Sequence, residues 1–339
     1  MGPGTDIVLD ATAAREPESG VQRAVRREAE ELARLLPGAR LCCSNAVLRH
    51  ASCRVIWQQS VLPFLDCRAL YAMAYTAPLL YRRPYLLNVH DVIALTHPEL
   101  CSFCNLVHMR TLLPGSIRGA SRIIVSTSYV ASQIKRLFPK AKIEIAPLGV
   151  DYGVFSGREE ACPAPIQAPY FLFVGNIEPK KGIMTLLSAF LQRDFRAKLA
   201  LVGRSGWKCG AMLDIIRRFT GRIVWLGRVS DEKLASLYRN AIALVMPSIV
   251  EGFGLPVLEA MAAGTPVIHS NIPALTETAG GAGLGVEPGN AAALAAAMKR
   301  VQESPALRRE LIEAGRERAK SLSWRRRAEY AASLLENIS

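Results

Sequence analysis

The chain lacks several features that would assign it quickly. No stretch approaches the ~20 apolar residues that a membrane-spanning helix needs. Met1–Asp10 shows no basic start followed by a long apolar run, so no secretory signal is read there. These two absences lead to the expectation of a cytoplasmic protein that at most rests on a membrane face. No complete G-x-G-x-x-G is present. Gly252-Phe-Gly254 begins one, but Val257 holds the third place, and Gly281-Ala-Gly283 begins another that Val286 breaks. With no P-loop either, a nicotinamide dehydrogenase is disfavoured. Zinc-finger and RNP-type signatures are missing, which leaves nucleic acid the weakest class of partner. The eight cysteines (Cys42, Cys43, Cys53, Cys67, Cys101, Cys104, Cys162 and Cys209) do not form a disulfide scaffold in a chain of this size and pattern. Cys101 and Cys104, with His108 one turn on, could face a metal together, but no second half-site has zinc-like spacing, and ordinary packing is the simpler reading.

What is present suits two globular domains. The 339 residues are half hydrophobic and 21% charged, enough apolar surface for sizeable cores. The net charge is +13, which favours an anionic partner such as a nucleotide or an acidic membrane surface. Both halves share the excess, with 19 Lys/Arg against 14 Asp/Glu in residues 1–160 and 23 against 15 in 161–339.

Short apolar runs alternate with helical patterns, the rhythm of βαβ units and parallel sheets. In the first half, strands are predicted at Ile7–Asp10, Tyr85–His90, Arg122–Ser126 and Lys142–Ala146, with a helix over Val21–Leu36 and an N-cap at Ser128. A segment with Pro163, Pro165 and Pro169 resists regular structure and is read as the link between domains, split near residues 155–168. The rhythm restarts at Tyr170–Gly175, Lys198–Gly203, Arg222–Leu226, Ala241–Met246 and Pro266–His269. Helical patterns at Leu307–Ala319 and Trp324–Leu335 close the chain. Their arginines, Arg308, Arg309, Arg316, Arg325, Arg326 and Arg327, are read as a solvated face. Two α/β halves joined by a linker predict a ligand cleft where strand ends meet.

The segment Pro247-Ser-Ile-Val-Glu-Gly-Phe-Gly-Leu-Pro-Val-Leu-Glu-Ala-Met-Ala-Ala-Gly264 carries the most chemistry. Gly252 and Gly254 permit tight backbone geometry and close ligand approach. Pro256 fits a first helical turn. The loop therefore ends at a helix N-terminus, where free N–H groups and the dipole favour an anion. Glu251 precedes that helix and Glu259 sits about one turn inside it. Acceptor-only carboxylates beside an anion site suit a ligand that joins phosphates to hydroxyl-rich sugars; otherwise they are solvated glutamates on an ordinary strand-turn-helix.

The whole string resembles the E-x7-E signature of the retaining glycosyltransferases grouped with glycogen synthase, family 4 or "group 1", with Glu251 and Glu259 as the pair. Phe173-Val-Gly-Asn-Ile-Glu-Pro-Lys-Lys-Gly182, Leu201–Lys208 and Leu226–Tyr238 resemble the family's following strand ends, and Asn88-Val-His-Asp-Val92 and Ala146–Asp151 its first domain. The resemblance implies an α/β GT-B fold of two Rossmann-like domains facing a central cleft. It places an acceptor domain at 1–160, a nucleotide-sugar domain at 168–320, and a last helix, 321–339, crossing back to the first domain. It implies transfer with retention from a nucleotide-sugar donor to a glycan or lipid-linked glycan. The closest flavour is that of bacterial surface-polysaccharide enzymes, many of which use GDP-mannose.

The resemblance also assigns roles. His90, Lys181 and Glu251 are the expected catalytic residues. Gly20, Asn176, Lys180, Lys181, Gly252, Phe253, Gly254, Leu255 and Glu259 are expected to bind the donor. A fixed cation at Lys181 would meet the charge that develops on a leaving diphosphate. One departure stands out: many family members carry Arg at the position of Asn176, and Arg204, Lys208 or Arg228 are the candidates to replace it. No Asp-x-Asp occurs, so no metal and no cofactor is expected. Contact with an anionic membrane is expected to be peripheral, through Arg23, Arg26, Arg27 and Arg34 on the first helix. A sugar-nucleotide epimerase or phosphorylase, a sugar-binding module, and an inactive glycan-assembly subunit are the competing readings.

Overall fold

The computed structural model describes residues 7–14, 19–43, 51–157 and 165–338. Cys162 and Pro163 lie outside the described residues. The chain divides into two compact units, Met1–Gly149 with Trp324–Ser339, and Val150–Ser323.

The first unit holds six parallel strands: β1 (Ile7–Ala11), β2 (Arg40–Cys43), β3 (Ala69–Ala72), β4 (Tyr85–Asn88), β5 (Arg122–Val125) and β6 (Ile143–Ile145), in the order β2-β1-β3-β4-β5-β6. The second holds β7 (Tyr170–Val174), β8 (Lys198–Val202), β9 (Ile223–Gly227), β10 (Leu244–Met246), β11 (Val267–Ser270) and β12 (Leu284–Val286), in the order β12-β11-β10-β7-β8-β9. Central strands such as β7, Tyr-Phe-Leu-Phe-Val, are buried along their whole length, because helices cover both faces of a parallel sheet. The nine predicted strands are present within one to three residues at their ends.

Three strands were not expected, for two different reasons. β2 is a largely exposed edge strand beginning with Arg40, so it lacks an apolar run. β3 and β12 have four and three residues, too short for periodicity to separate them from loop. The N-cap predicted at Ser128 falls one residue earlier. Thr127 has the extended cap conformation and accepts from the Val130 amide, while Ser128 opens the helix.

The division between units falls at Gly149–Val150, ahead of the proline-bearing segment. The short helix Tyr152–Ser156 explains this, because it packs on helices Leu255–Ala263 and Asp231–Asn240 of the second unit. Its Phe155 is buried edge-on against Tyr238.

The solvated-face reading of the C-terminal arginines is corrected at Arg327. Helix Trp324–Glu336 packs on helix Gly20–Leu35 and turns this side chain into the first unit's core. There Arg327 donates to Glu28 Oε2 at 2.8 Å, to Asn88 Oδ1 at 3.1 Å and to the Ala146 carbonyl. The second oxygen of Glu28 accepts from Tyr71 Oη at 2.7 Å. Arg308 is also engaged, capping the carbonyls of Val301 and Gln302.

Candidate active site

In the second sheet the chain order reverses between β7 and β10. Their carboxyl ends form a topological switch point, where open α/β sheets place ligands. The two segments that leave these ends carry Lys181 and Glu251.

After β7 the chain makes a tight 3-10 turn, Pro179–Lys181, and enters helix Ile183–Leu191 through Gly182. Gly182 has φ +66°, and a Cβ there would stand 2.0 Å from the Pro247 carbonyl oxygen. That crowding has a purpose: it lets the loop after β10 lie directly on the turn. The Ile249 amide donates to the Lys180 carbonyl at 2.8 Å, fastening the two segments together.

Side chains complete the brace. Lys181 Nζ lies 2.5 Å from Glu251 Oε1, and Ser248 Oγ donates to the same oxygen at 2.8 Å. Glu251 is thus held at one oxygen by an ammonium and a hydroxyl. Lys180 turns instead to Glu178, at 3.5 Å.

The loop then enters helix Leu255–Ala263. Gly254 is its N-cap at φ +100°, with no side-chain cap. A Cβ there would meet Leu275 Cδ2 at 2.4 Å. Thr278 holds the loop from behind by donating to the Phe253 carbonyl at 2.7 Å. The helix is buried nearly all round, which explains its almost wholly apolar sequence. Glu259 is the exception. It is buried one turn in, and its Oε2 accepts from Tyr238 Oη at 2.9 Å.

The structure therefore brings Lys180, Lys181, Glu251, the Gly252-Phe253-Gly254-Leu255 backbone and Glu259 to one switch point. Asn176 follows β7 and is exposed. The Ile177 amide donates to the Arg204 carbonyl at 2.8 Å, which sets Arg204 beside the Asn176 position. Lys208 lies over its neighbour Trp207, 4.8 Å from the ring centroid, and Arg228 follows β9.

Gly20 and His90 belong to the first unit. Gly20 is exposed and opens its helix behind a capping box of Ser19 and Gln22. His90 follows β4 and is buried. Its Nε2 is 3.5 Å from Asn88 Nδ2, and its ring meets Tyr75 edge-on at 5.3 Å. Tyr75 has the strained φ of +59°, and its hydroxyl donates to Asp91 Oδ2 at 2.6 Å. Burial, then the nearby charge of Arg327, lowers the His90 pKa to about 3 against the pull of a Met73 backbone hydrogen bond. This imidazole is neutral at neutral pH.

Ser248, Tyr238, Asn88 and Arg327 hold the predicted residues, and none was predicted for that role. Ser248 lies inside the recognised string and could have been found there. Tyr238 meets Glu259 across 21 residues and Arg327 meets Asn88 across 239, so neither left a local signal. Among the described residues, no three His, Cys, Asp or Glu side chains gather as a metal-holding group.

Residues 161–318 match the family described as "Glycosyl transferases group 1". The chain carries a domain of that family. This group 1 domain coincides with the second unit and holds the whole Lys181–Glu251–Glu259 constellation. The chain is 33% identical over 249 residues to O-antigen chain mannosyltransferase B of Escherichia coli, covering 69% of this chain and 65% of that one. It is 30% identical over 235 residues to O-antigen chain mannosyltransferase RfbU of Salmonella typhimurium, covering 68% and 64%. The chain thus spans just under two thirds of the length of these relatives. Among solved structures, sucrose-phosphate synthase from Thermosynechococcus elongatus superposes with a TM-score of 0.76 over 98% of both chains at 22% identity. Anabaena HepE in complex with UDP gives 0.72 over 98% and 99%, at 18% identity. These likenesses extend the group 1 domain to a two-unit GT-B fold.

Proposed function

We propose that this protein is a retaining, metal-independent hexosyltransferase that moves a sugar from a nucleotide-sugar, GDP-mannose favoured, to a glycan or lipid-linked glycan. The observation that carries the reading is the pairing of Lys181 with Glu251 beside an uncapped helix N-terminus at the β7/β10 switch point. Diphosphate needs cations and N–H donors; sugar hydroxyls need acceptors. Both sets stand on loops fastened to each other. The two O-antigen mannosyltransferase relatives support mannose as the sugar.

In this reading Glu259 accepts from the nucleotide ribose and Tyr238 orients it. Glu251 faces the sugar hydroxyls. Lys181 keeps two ammonium protons beyond the one given to Glu251, and these meet the charge growing on the departing diphosphate. Together with the helix N-terminus, Lys181 does the work of the divalent cation that an Asp-x-Asp pair would hold. Arg204 supplies the second cation that Asn176 does not. His90 takes part as a neutral hydrogen-bonding group. Transfer occurs on one face of the sugar, with no covalent intermediate assigned. A cytoplasmic location with peripheral contact to an anionic membrane completes the proposal.

A thermal-shift screen against UDP-, GDP-, ADP- and dTDP-sugars tests the donor. The true donor at 100 times its Kd should stabilise by about 2.7 kcal/mol. No shift with GDP-mannose and a shift with another sugar nucleotide would replace the donor. Transfer measured with and without EDTA, with the anomer read by NMR, tests the rest. Activity abolished by EDTA and restored by magnesium, or an inverted product, would overturn those parts.

A further inference from the structure

Among the described residues, the four most exposed large apolar side chains all belong to the first unit. Phe64 is 82% exposed, Phe103 77%, Leu80 76% and Ile56 64%. Leu79 and Val107 are also exposed.

These residues lie on segments that touch one another. Helix Ala51–Ser60 runs into the 3-10 turn Leu62–Phe64. Gln59 of that helix accepts from the Leu79 amide at 3.0 Å and donates to the Ala77 carbonyl. The Leu79 side chain lies against Gly115 of helix Phe103–Gly119. Arg83 donates to Asp66 Oδ1 at 2.6 Å and to the Cys67 carbonyl at 2.7 Å, tying the 78–83 segment to the chain after Phe64. Arg54 on helix Ala51–Ser60 is close enough to His108 on helix Phe103–Gly119 for its charge to add to burial in lowering that imidazole's pKa. The segments that carry the exposed apolar residues are therefore joined to one another.

The form and charge of that surface select its occupant. Side chains three-quarters exposed are protruding tips, not the lining of a groove. Separate tips suit a fluid phase that closes around each one; a protein partner needs a matching solid surface. The same segments, residues 51–67, 78–83 and 103–111, carry Arg54, Arg82, Arg83 and Arg110 against the one carboxylate Asp66. Apolar tips among arginines fit the headgroup boundary of an anionic bilayer. The first helix offers less. Arg26 and Arg27 share Glu30, and Arg34 pairs with Glu31, so part of its basic face is turned to carboxylates of the same helix. No described helix is long and apolar enough to cross a membrane.

We propose that this protein docks on an anionic lipid surface through the face built by helix Ala51–Ser60, the turn to Phe64, Leu79–Arg83 and the start of helix Phe103–Gly119, with Phe64, Leu80 and Phe103 inserted among the headgroups. This names the surface behind the peripheral contact proposed above. Flotation without donor reads the surface, and transfer to a soluble acceptor reads the chemistry, so the two can fail separately.

The test is flotation of the full chain with vesicles of phosphatidylcholine alone and of phosphatidylcholine mixed with phosphatidylglycerol. Binding to the mixed vesicles at low salt is expected. Phe64→Ser, Leu80→Ser and Phe103→Ser should each lower the partition coefficient about tenfold, as expected for an apolar side chain no longer buried. Arg82→Ser with Arg110→Ser should weaken binding to the anionic vesicles only. Arg26→Ser, on the first helix, should change little. Circular dichroism and unchanged transfer to a soluble acceptor show that each variant is folded. Absent binding at low salt, or equal binding by all variants, would overturn the proposal. So would a concentration-dependent dimer of the wild type that Phe64→Ser dissolves, since the face would then be a self-interface.

Discussion

Two ion pairs, one in each unit, use similar chemistry to opposite ends. Arg327–Glu28 is closed, with both side chains 0% exposed and acceptors for the guanidinium on three residues. Lys181–Glu251 stays open at 16% and 11%, with an ammonium that has protons to spare. The difference is one of unused bonding capacity. A sealed pair whose partners are all supplied by the chain has nothing left for a ligand, so its role is architectural. A pair at strand ends, braced by backbone and with bonding capacity left over, suits the donor-binding role proposed for it.

Removing one partner of the sealed pair should be the most damaging to stability. Arg327→Met leaves Glu28 buried and uncompensated, and about 3–5 kcal/mol should be lost. It also removes the bonds from helix Trp324–Glu336 to Asn88 and Ala146. Urea unfolding measures this directly. Adding Glu28→Gln should recover part of the loss, because the stranded charge is gone while Tyr71 keeps an acceptor. A loss below about 1 kcal/mol, the range of an exposed pair, would erase the distinction between the two pairs.

The open pair should behave in the reverse manner. Lys181→Ala should cost less stability than Arg327→Met, because Glu251 keeps the Ser248 hydroxyl and some access to solvent. Turnover with a saturating donor should fall about 10²–10³-fold, the usual loss when a donor aimed at developing charge is removed. Steady-state kinetics beside a thermal melt separates the two readouts. A large loss of stability with near-normal turnover would make Lys181–Glu251 a second architectural pair.

Glu259 sharpens the comparison, being buried like Glu28 but accepting from a neutral hydroxyl, that of Tyr238. Glu259→Ala should weaken binding of the nucleoside diphosphate by about 1.5–3 kcal/mol, the value of a charge-assisted hydrogen bond. Glu251→Ala should act chiefly on turnover. Calorimetric titration with the diphosphate alone distinguishes them, and wild-type affinity in Glu259→Ala would remove it from the ribose.

The contrast also marks what was legible in the sequence. Lys181 and Glu251 lie in local strings whose residue types announce a loop, a helix start and an anion, so both could be read in order along the chain. Most strands were legible too, because a buried parallel strand is a continuous apolar run between turns. Arg327 was misread because an arginine among arginines on an amphipathic helix looks solvated. Only tertiary packing shows that this one turns inward to Glu28, 299 residues away. The short strands β3 and β12 were lost for want of length, and β2 for want of burial. On the first helix, composition showed the arginines but not that Arg26 and Arg27 share Glu30 and that Arg34 meets Glu31.

The smallest expected effect concerns His90, beside the sealed pair. Its pKa stands near 3 in the folded chain, through burial first and the Arg327 charge second. In the unfolded chain it returns to about 6.5. Between these values the unfolded state binds a proton that the folded state refuses, so stability falls as pH falls. The slope from this residue is at most about 1.4 kcal/mol per pH unit, and it vanishes above the unfolded pKa. Wild type and His90→Asn should therefore differ by a constant amount above about pH 7. As pH drops from 6.5 toward 5, wild type should lose ground to the variant. His269, also buried and lowered, is common to both chains and cancels in the difference. For the same reason His90 should add no ionisation to the transfer rate between about pH 5 and 8. Urea unfolding of the two chains across this range reads the first expectation, and a pH–rate profile the second. A stability difference independent of pH would mean that His90 takes up a proton as readily in the fold as in the unfolded chain. It would then be charged beside Arg327 below about pH 6.5, and the transfer rate should show that ionisation.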